Sequence, residues 1–228
     1  MLFSINDKPY VAIIGDIIGS RNIENRNEVQ NKLKDVLNHV NNKYAEDISA
    51  KFTITLGDEF QGLLSAGRYV MDIIQFIERK MYPVKMRFGV GIGKITTDIH
   101  SDLAIGSDGP AYYLARNMIN ELKLSEKKNK SPKSNIKVTF ENQNNIEALL
   151  NTTLALCTVI KNSWTDRQRT VVYDYMEFED QQKNMASRLG ITQSSVQKSI
   201  AASNLYNYLD AMNTISKILS EIGEKDDV

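Results

Sequence analysis

The apolar pattern of this chain changes period once, and that change limits what it can fold into. Between residues 10 and 140, alternating or continuous apolar runs are separated by amphipathic stretches, whereas after Glu141 only a helical period remains. Residues 10–15 are rich in Val, Ile and Ala and lead into Asp16, the pattern of a buried strand entering a turn. Val29, Leu33, Val36, Leu37 and Val40 follow at helical spacing, with Asn, Lys and Asp on the other face. Phe52, Ile54 and Leu56 alternate with Thr53 and Thr55, Gly57-Asp58 supplies a turn, and residues 60–64 return as the second arm of a hairpin. Residues 69–77 are helical in pattern. Residues 84–92 form the next strand, with Met86, Phe88, Val90 and Ile92 on one face and Arg87, Gly89, Gly91 and Gly93 on the other.

The order βαββαβ predicts an α/β (α+β) domain of ferredoxin-like type, an antiparallel sheet with helices packed on one side. A helix over residues 110–122 and a strand over 136–140 extend it. The glycine face of the 84–92 strand has two readings, close approach of a ligand or close packing of a helix. Residues 125–135, with Lys127, Lys128, Lys130 and Lys133, are expected to form an exposed loop. The domain boundary is placed near residue 143, giving an α/β domain over 1–142 and a helical domain over 143–228. In the second, Ile146, Leu149, Leu150, Leu154, Cys157 and Ile160 are expected to share one apolar stripe.

Composition excludes several classes. The 28 basic and 28 acidic residues balance, so any nucleic-acid contact must be local. No stretch approaches the roughly 20 apolar residues of a membrane helix, and residues 1–7 carry no export signal, so a cytoplasmic protein is expected. The lone Cys157 rules out a fold resting on intrachain disulfides.

Residues 181–203 read QQKNMASRLGITQSSVQKSIAAS. Met185, Leu189, Ile191, Val196 and Ile200 are spaced to wedge two short helices together, Ala186 is small at the crossing, Gly190 suits a left-handed helix end and Thr192 a cap. The second helix then offers Gln193, Ser194, Ser195, Gln197 and Lys198 to a DNA major groove. Lys183, Arg188 and Lys198 give this segment a small positive face. With TDRQR at residues 165–169, the segment resembles the helix-turn-helix of sigma-factor region four and of response-regulator output domains. Further on, Leu205, Tyr208, Met212, Ile215, Leu219 and Ile222 repeat at intervals of three and four. That pattern is either a coiled-coil seam, which would make a homodimer, or a terminal helix folded back on its own domain.

In the first half, Asp16 ends a strand and Asp58 and Glu59 sit at a hairpin tip. In a βαββαβ sheet the first and third strands are neighbours, so Asp16 and Asp58 could jointly hold Mg²⁺ or Mn²⁺. Gly19 and Ser20 would then present N–H groups to phosphate where a helix begins. A plain turn at Asp58 and a helix cap at Asp16 remain the alternative.

The motifs GDIIGSR (15–21), LGDEFQ (56–61), RFGVGIG (87–93) and LARNM (114–118) resemble the nucleotidyl cyclase superfamily and, over nearly the whole length, the SatD family. That resemblance implies that Asp16 and Asp58 are metal ligands, that the Ile17 carbonyl is a backbone ligand between them, and that Arg116 is a catalytic, phosphate-stabilising residue. The chain departs from cyclases in Tyr112, where they carry Asn, and in Leu56, where diguanylate cyclases carry Gly. Together these features lead to the expectation of a DNA-binding regulator whose cyclase-like domain binds a nucleotide such as ATP or GTP with a divalent metal. A metal-dependent nucleotide-processing enzyme is the alternative.

Overall fold

A computed structural model describes residues 9–101, 104, 106–128, 134–142 and 145–222. The elements run β1 (Tyr10–Ile17), α1 (Arg26–Lys43), β2 (Ile48–Leu56), β3 (Glu59–Leu64), α2 (Val70–Met81), β4 (Met86–Gly93), α3 (Pro110–Lys128) and β5 (Ile136–Phe140). Helices follow: α4 (Asn145–Ser163), α5 (Asp166–Phe178), α6 (Gln182–Leu189), α7 (Gln193–Ala202) and α8 (Leu205–Ser220). The βαββαβ order holds. One sheet carries the strands in the order β2-β3-β1-β4-β5. Its first four strands are antiparallel, and β5 joins β4 in parallel. A parallel neighbour needs a long crossover, and α3 provides it. Residues 1–8, 129–133 and 143–144 are among those not described, so the reading of an absent export signal, part of the lysine-rich segment and the boundary at 143 lie outside the described residues.

The expectation that helices cover one side of the sheet is corrected. Val11, Ile13, Phe60, Phe88 and Val90 point to a core shared with α1 and α2, while Ala12, Ile14 and Leu63 point the other way, onto Ala111, Ala115 and Ile119 of α3. The glycines explain how α3 lies so close. A Cβ on Gly91 would stand 2.1 Å from the Ala111 carbonyl oxygen, and one on Gly89 would stand 2.2 Å from that of Ala115. Of the two readings of the glycine face, the packed helix holds. This helix also runs through Lys127 and Lys128, where a loop was expected.

The helical region continues the same core rather than closing around its own. Leu150, Leu154, Trp164, Val172, Met185, Val196 and Ile200 belong to one apolar cluster with β1, β4, α1 and α2. The repeat on α8 is turned into it: Leu205, Tyr208, Met212, Ile215 and Leu219, with Ile222 just past the helix, are each no more than 2% exposed. It packs on α2, α4 and α7, and the Tyr208 ring meets Trp164 edge-on at 5.1 Å. The coiled-coil seam is therefore satisfied within the chain and is not available to a second copy. On α4 the expected stripe splits, because Leu149 is 69% exposed while Leu150, Leu154 and Cys157 are buried. Among the described residues, no helix is long and apolar enough to cross a membrane.

Gly91→Ala should cost about 3 kcal/mol of stability in urea denaturation, because the methyl meets backbone that cannot rotate away. A loss below about 0.5 kcal/mol, the range of ordinary surface changes, would mean that α3 does not approach β4 so closely.

Candidate functional site

Strand register brings the candidate residues together. Asp16 stands opposite Glu59 on β3 and Arg87 on β4, and the Ile17 amide donates to the Asp58 carbonyl at 3.0 Å, which ties the hairpin tip to the end of β1. By the alternation of β1, the Asp16 side chain lies on the α3 face. There Lys123 Nζ reaches its Oδ1 at 2.9 Å and Arg87 Nε lies 3.2 Å from Oδ2. Arg87 Nη2 also pairs with Glu126 at 3.3 Å. Arg116, two turns before Lys123 on α3, pairs with Glu59. Ser20 Oγ donates to Asp58 Oδ2 at 2.5 Å.

The cluster is thus a buried acidic strip answered by three cations from β4 and α3. Asp16 is 4% exposed. Burial pushes its carboxyl pKa above the usual 3.8, Lys123 and Arg87 pull it back in part, and nearby Asp58 pushes the same way as burial. The cations differ in access. Arg87 is buried, whereas the side chains of Arg116 and Lys123 are 38% and 40% exposed.

This arrangement does not fit a resident divalent ion. Mg²⁺ and Mn²⁺ require several oxygen ligands, but each oxygen of Asp16 already faces a positive nitrogen. No cluster of three or more His, Cys, Asp or Glu suited to a metal occurs among the described residues. Asp58 is near enough to push the Asp16 pKa upward, but the two carboxylates have separate partners, Lys123 and Arg87 for Asp16 and Ser20 for Asp58. The helix expected to begin at Gly19 and Ser20 is a short one. Gly19 is left-handed (φ 71°) and is the N-cap of a 3-10 helix of three residues, Ser20–Asn22. The first α-helix begins at Arg26.

Gln61 Nε2 donates to the Ala104 carbonyl at 2.8 Å, and the Lys51 amide donates to the Ser101 carbonyl at 3.0 Å, which draws the segment after β4 across β2 and β3. Tyr112, one turn before Arg116, is buried with its hydroxyl unpartnered among the described residues, and burial pushes its pKa far up. Arg87, Lys123 and Glu126 were not among the residues singled out from the sequence. The signals were present: Arg87 shares a strand face with the three glycines, and Lys123 lies seven residues after Arg116 on one helix.

A second region is the helix pair α6–α7. Thr165 and Gln168 form a capping box that starts α5. Gly190 ends α6 in the left-handed conformation (φ 64°), and the Thr192 side chain accepts from the Ser195 amide to cap α7. Met185, Val196 and Ile200 are buried, with Leu189 and Ile191 partly so. Gln193, Ser194, Gln197 and Lys198 are exposed, whereas the Ser195 hydroxyl lies 2.9 Å from that of Thr192 and is taken up in the cap. The positive face is smaller than the composition suggested. Arg188 makes hydrogen bonds of 2.6–3.0 Å to both Asp174 and Asp180, leaving Lys183 and Lys198.

A family model described as the SatD family matches residues 10–219. None of the curated proteins matches. Among solved structures, the guanylate cyclase domain of RhGC from Catenaria anguillulae, in complex with GTP, is similar at 14% identity and a TM-score of 0.37, over 49% of this chain and 71% of that one. A bacterial light-regulated adenylyl cyclase is similar at 12% identity and a TM-score of 0.41, over 58% of this chain and 43% of that one. A regulator of polyketide synthase expression from Bifidobacterium adolescentis is similar at 12% identity and a TM-score of 0.25, over 94% and 86%.

Lys123→Ala removes a positive charge 2.9 Å from Asp16 Oδ1. The variant should therefore bind Mn²⁺ about tenfold more tightly than the wild type, a step well within the coulombic cost of a neighbouring like charge. Electron paramagnetic resonance of free Mn²⁺ reads this directly. Equal affinities would show that Lys123 is not what keeps a cation off Asp16.

Proposed function

This chain belongs to the SatD family, and from that premise we propose that it is a DNA-binding regulatory protein whose sheet-end charge cluster receives the phosphates of a nucleotide. The observation that carries the reading is the presentation of α7. A left-handed glycine and a capped N-terminus set this helix off from α6, and Gln193, Ser194, Gln197 and Lys198 stand out from its first two turns. Amide and hydroxyl side chains at the start of such a helix match the donors and acceptors of base edges in a major groove. Ser195 serves the cap and is not assigned a base contact. With Arg188 held by Asp174 and Asp180, the α6–α7 pair keeps Lys183 and Lys198 for phosphates, so one copy gains little of the salt-dependent term and this reading calls for two copies on one duplex.

The ligand half of the proposal rests on Arg116 and Lys123. They are the accessible cations of the cluster, held by Glu59 and Asp16. A nucleotide such as ATP or GTP would draw them from those carboxylates into charge-assisted bonds with its phosphate oxygens, with the vacated Glu59 and Asp16 taking up protons or other partners. Mg²⁺ or Mn²⁺ enters this reading only as the nucleotide's own counter-ion. A cyclase-type enzyme, with Arg116 stabilising charge at the reacting phosphate, is the second reading. It is favoured by Asp58, whose side chain has no cationic partner among the described residues.

The two halves separate in one experiment. Fluorescence anisotropy with a labelled duplex should show salt-dependent binding, weakened about tenfold or more by Gln197→Ala with Lys198→Ala at unchanged circular dichroism. ATP or GTP should change the wild-type affinity, and Arg116→Ala should abolish that response while leaving the nucleotide-free affinity alone. No binding to duplex DNA at low salt would remove the first reading, and a cyclised or hydrolysed nucleotide, lost in Asp58→Asn, would install the second.

A further inference from the structure

The exposed face of α4 is out of keeping with the rest of the surface. A quarter of this chain is charged, yet the outward stripe of α4 is Asn145, Leu149, Thr152, Leu156, Val159 and Ser163, without a charge. Leu149, Leu156 and Val159 are 69%, 61% and 53% exposed. The two charges that α4 carries are both turned inward. Glu147 accepts from Thr139 Oγ1 at 2.9 Å and from the Phe140 amide at 3.2 Å. Lys161 is buried against both oxygens of Glu78. The charges of α4 are thus spent on the inner side, and what faces water is uncharged, three aliphatic side chains among Asn145, Thr152 and Ser163.

The spacing of the stripe suits a partner helix, and its symmetry and lack of charge narrow which one. The intervals four, three, four, three, four between its members are those of a coiled-coil seam. They are also their own reverse. Asn145 with Ser163, Leu149 with Val159, and Thr152 with Leu156 are each centred on position 154. A two-fold interface requires a surface complementary to itself. An antiparallel second α4 meets that requirement, placing each Leu149 against a Val159, each Thr152 against a Leu156, and polar residues at both ends. The lack of charge fits a second copy, since identical chains bring no like charges together there, and offers nothing to an acidic or basic partner. Beside the stripe, a groove of about 470 Å³ between α3 and α4 is lined by Leu124, Thr152 and Ala155, with Leu124 53% exposed, and by Glu121, Lys128 and Lys137, so charge begins where the stripe ends, on the α3 and β5 side.

We propose that this chain self-associates through α4, two copies packing antiparallel about Leu154. The seam is not on α8, whose repeat is buried in its own chain. The inference stands without DNA and without any ligand at the charge cluster, and its failure would leave the two copies that the DNA reading calls for to meet on the duplex itself.

Sedimentation equilibrium of the full chain, without DNA, should give a dimer. Leu149→Glu with Leu156→Glu should raise the dimer dissociation constant by about a hundredfold or more, with unchanged circular dichroism because both side chains are exposed. Independently, Thr152→Cys with Leu156→Cys should form an interchain disulfide on mild oxidation, whereas Tyr206→Cys, on exposed α8 surface, should not. A wild-type chain that is monomeric at about 100 μM overturns the proposal. In that case some other segment or partner covers α4. A dimer that survives the glutamates, or that fails to crosslink at residues 152 and 156, overturns it equally.

Discussion

The contact on which most of this architecture depends is backbone against backbone: the first turns of α3 resting on Gly89 and Gly91 of β4. Two missing side chains let the helix drop until its carbonyls occupy the space that Cβ atoms would fill. That close approach turns the sheet into a middle layer with packed helices on both faces. It also fixes the crossover that makes β5 parallel to β4. Once α3 is fixed in height and direction, the side chains two turns apart on its sheet-facing side must reach the acidic ends of β1 and β3. Arg116 meets Glu59 and Lys123 meets Asp16 for that reason.

Asp16 shows what this costs. A carboxylate brought almost wholly out of water loses hydration that only ion pairs and hydrogen bonds can replace. Burial remains the larger influence on its pKa even with two cations at hand. The cluster is therefore poised rather than relaxed. Without Lys123 the buried Asp16 carboxylate keeps Arg87 alone, so a ligand that takes Lys123 must either replace it at Asp16 or let the carboxyl take up a proton. The same electrostatics argue against a resident metal, since a divalent ion would have to settle beside Arg87, which is buried and has nowhere to move.

The strand order and the hairpin were legible in the sequence because each rests on local periodicity and on the rule that β1 and β3 are neighbours. The strand over residues 136–140 was legible to the residue. Other features were not legible, for a common reason. Periodicity identifies an apolar stripe without naming what covers it. The stripes of α4 and α8 read alike, yet α8 turns its repeat inward, whereas α4, apolar on two sides, buries Leu150, Leu154 and Cys157 and leaves Leu149, Leu156 and Val159 outside. The glycine face of β4 was ambiguous in the same way. Arg188 was counted toward a positive face because its partners, Asp174 and Asp180, are 14 and eight residues away. One of them lies in a different helix, and only the fold brings them together.

The shared core also gives the cluster a physical path to α7. Glu126, which holds Arg87, lines a cavity of about 420 Å³ together with Lys85, Lys161 and Arg169. Lys161 is locked to Glu78 and Asn135, tying α4 to α2 and the start of β5. Arg169 donates to the Lys161 carbonyl and lies over the rings of Tyr82, Trp164 and Tyr173. Trp164 in turn donates from Nε1 to the Ser203 carbonyl, immediately past the end of α7. Such a chain of packed polar contacts transmits nothing unless it has two arrangements that a ligand distinguishes. The place where two arrangements cost least is where an exposed cation already shares a buried acid with another. At Asp16, Lys123 can leave while Arg87 stays, and from Arg87 the contacts lead by an ion pair to Glu126, across the shared cavity to Lys161, by a hydrogen bond to Arg169 and by a cation–π contact to Trp164.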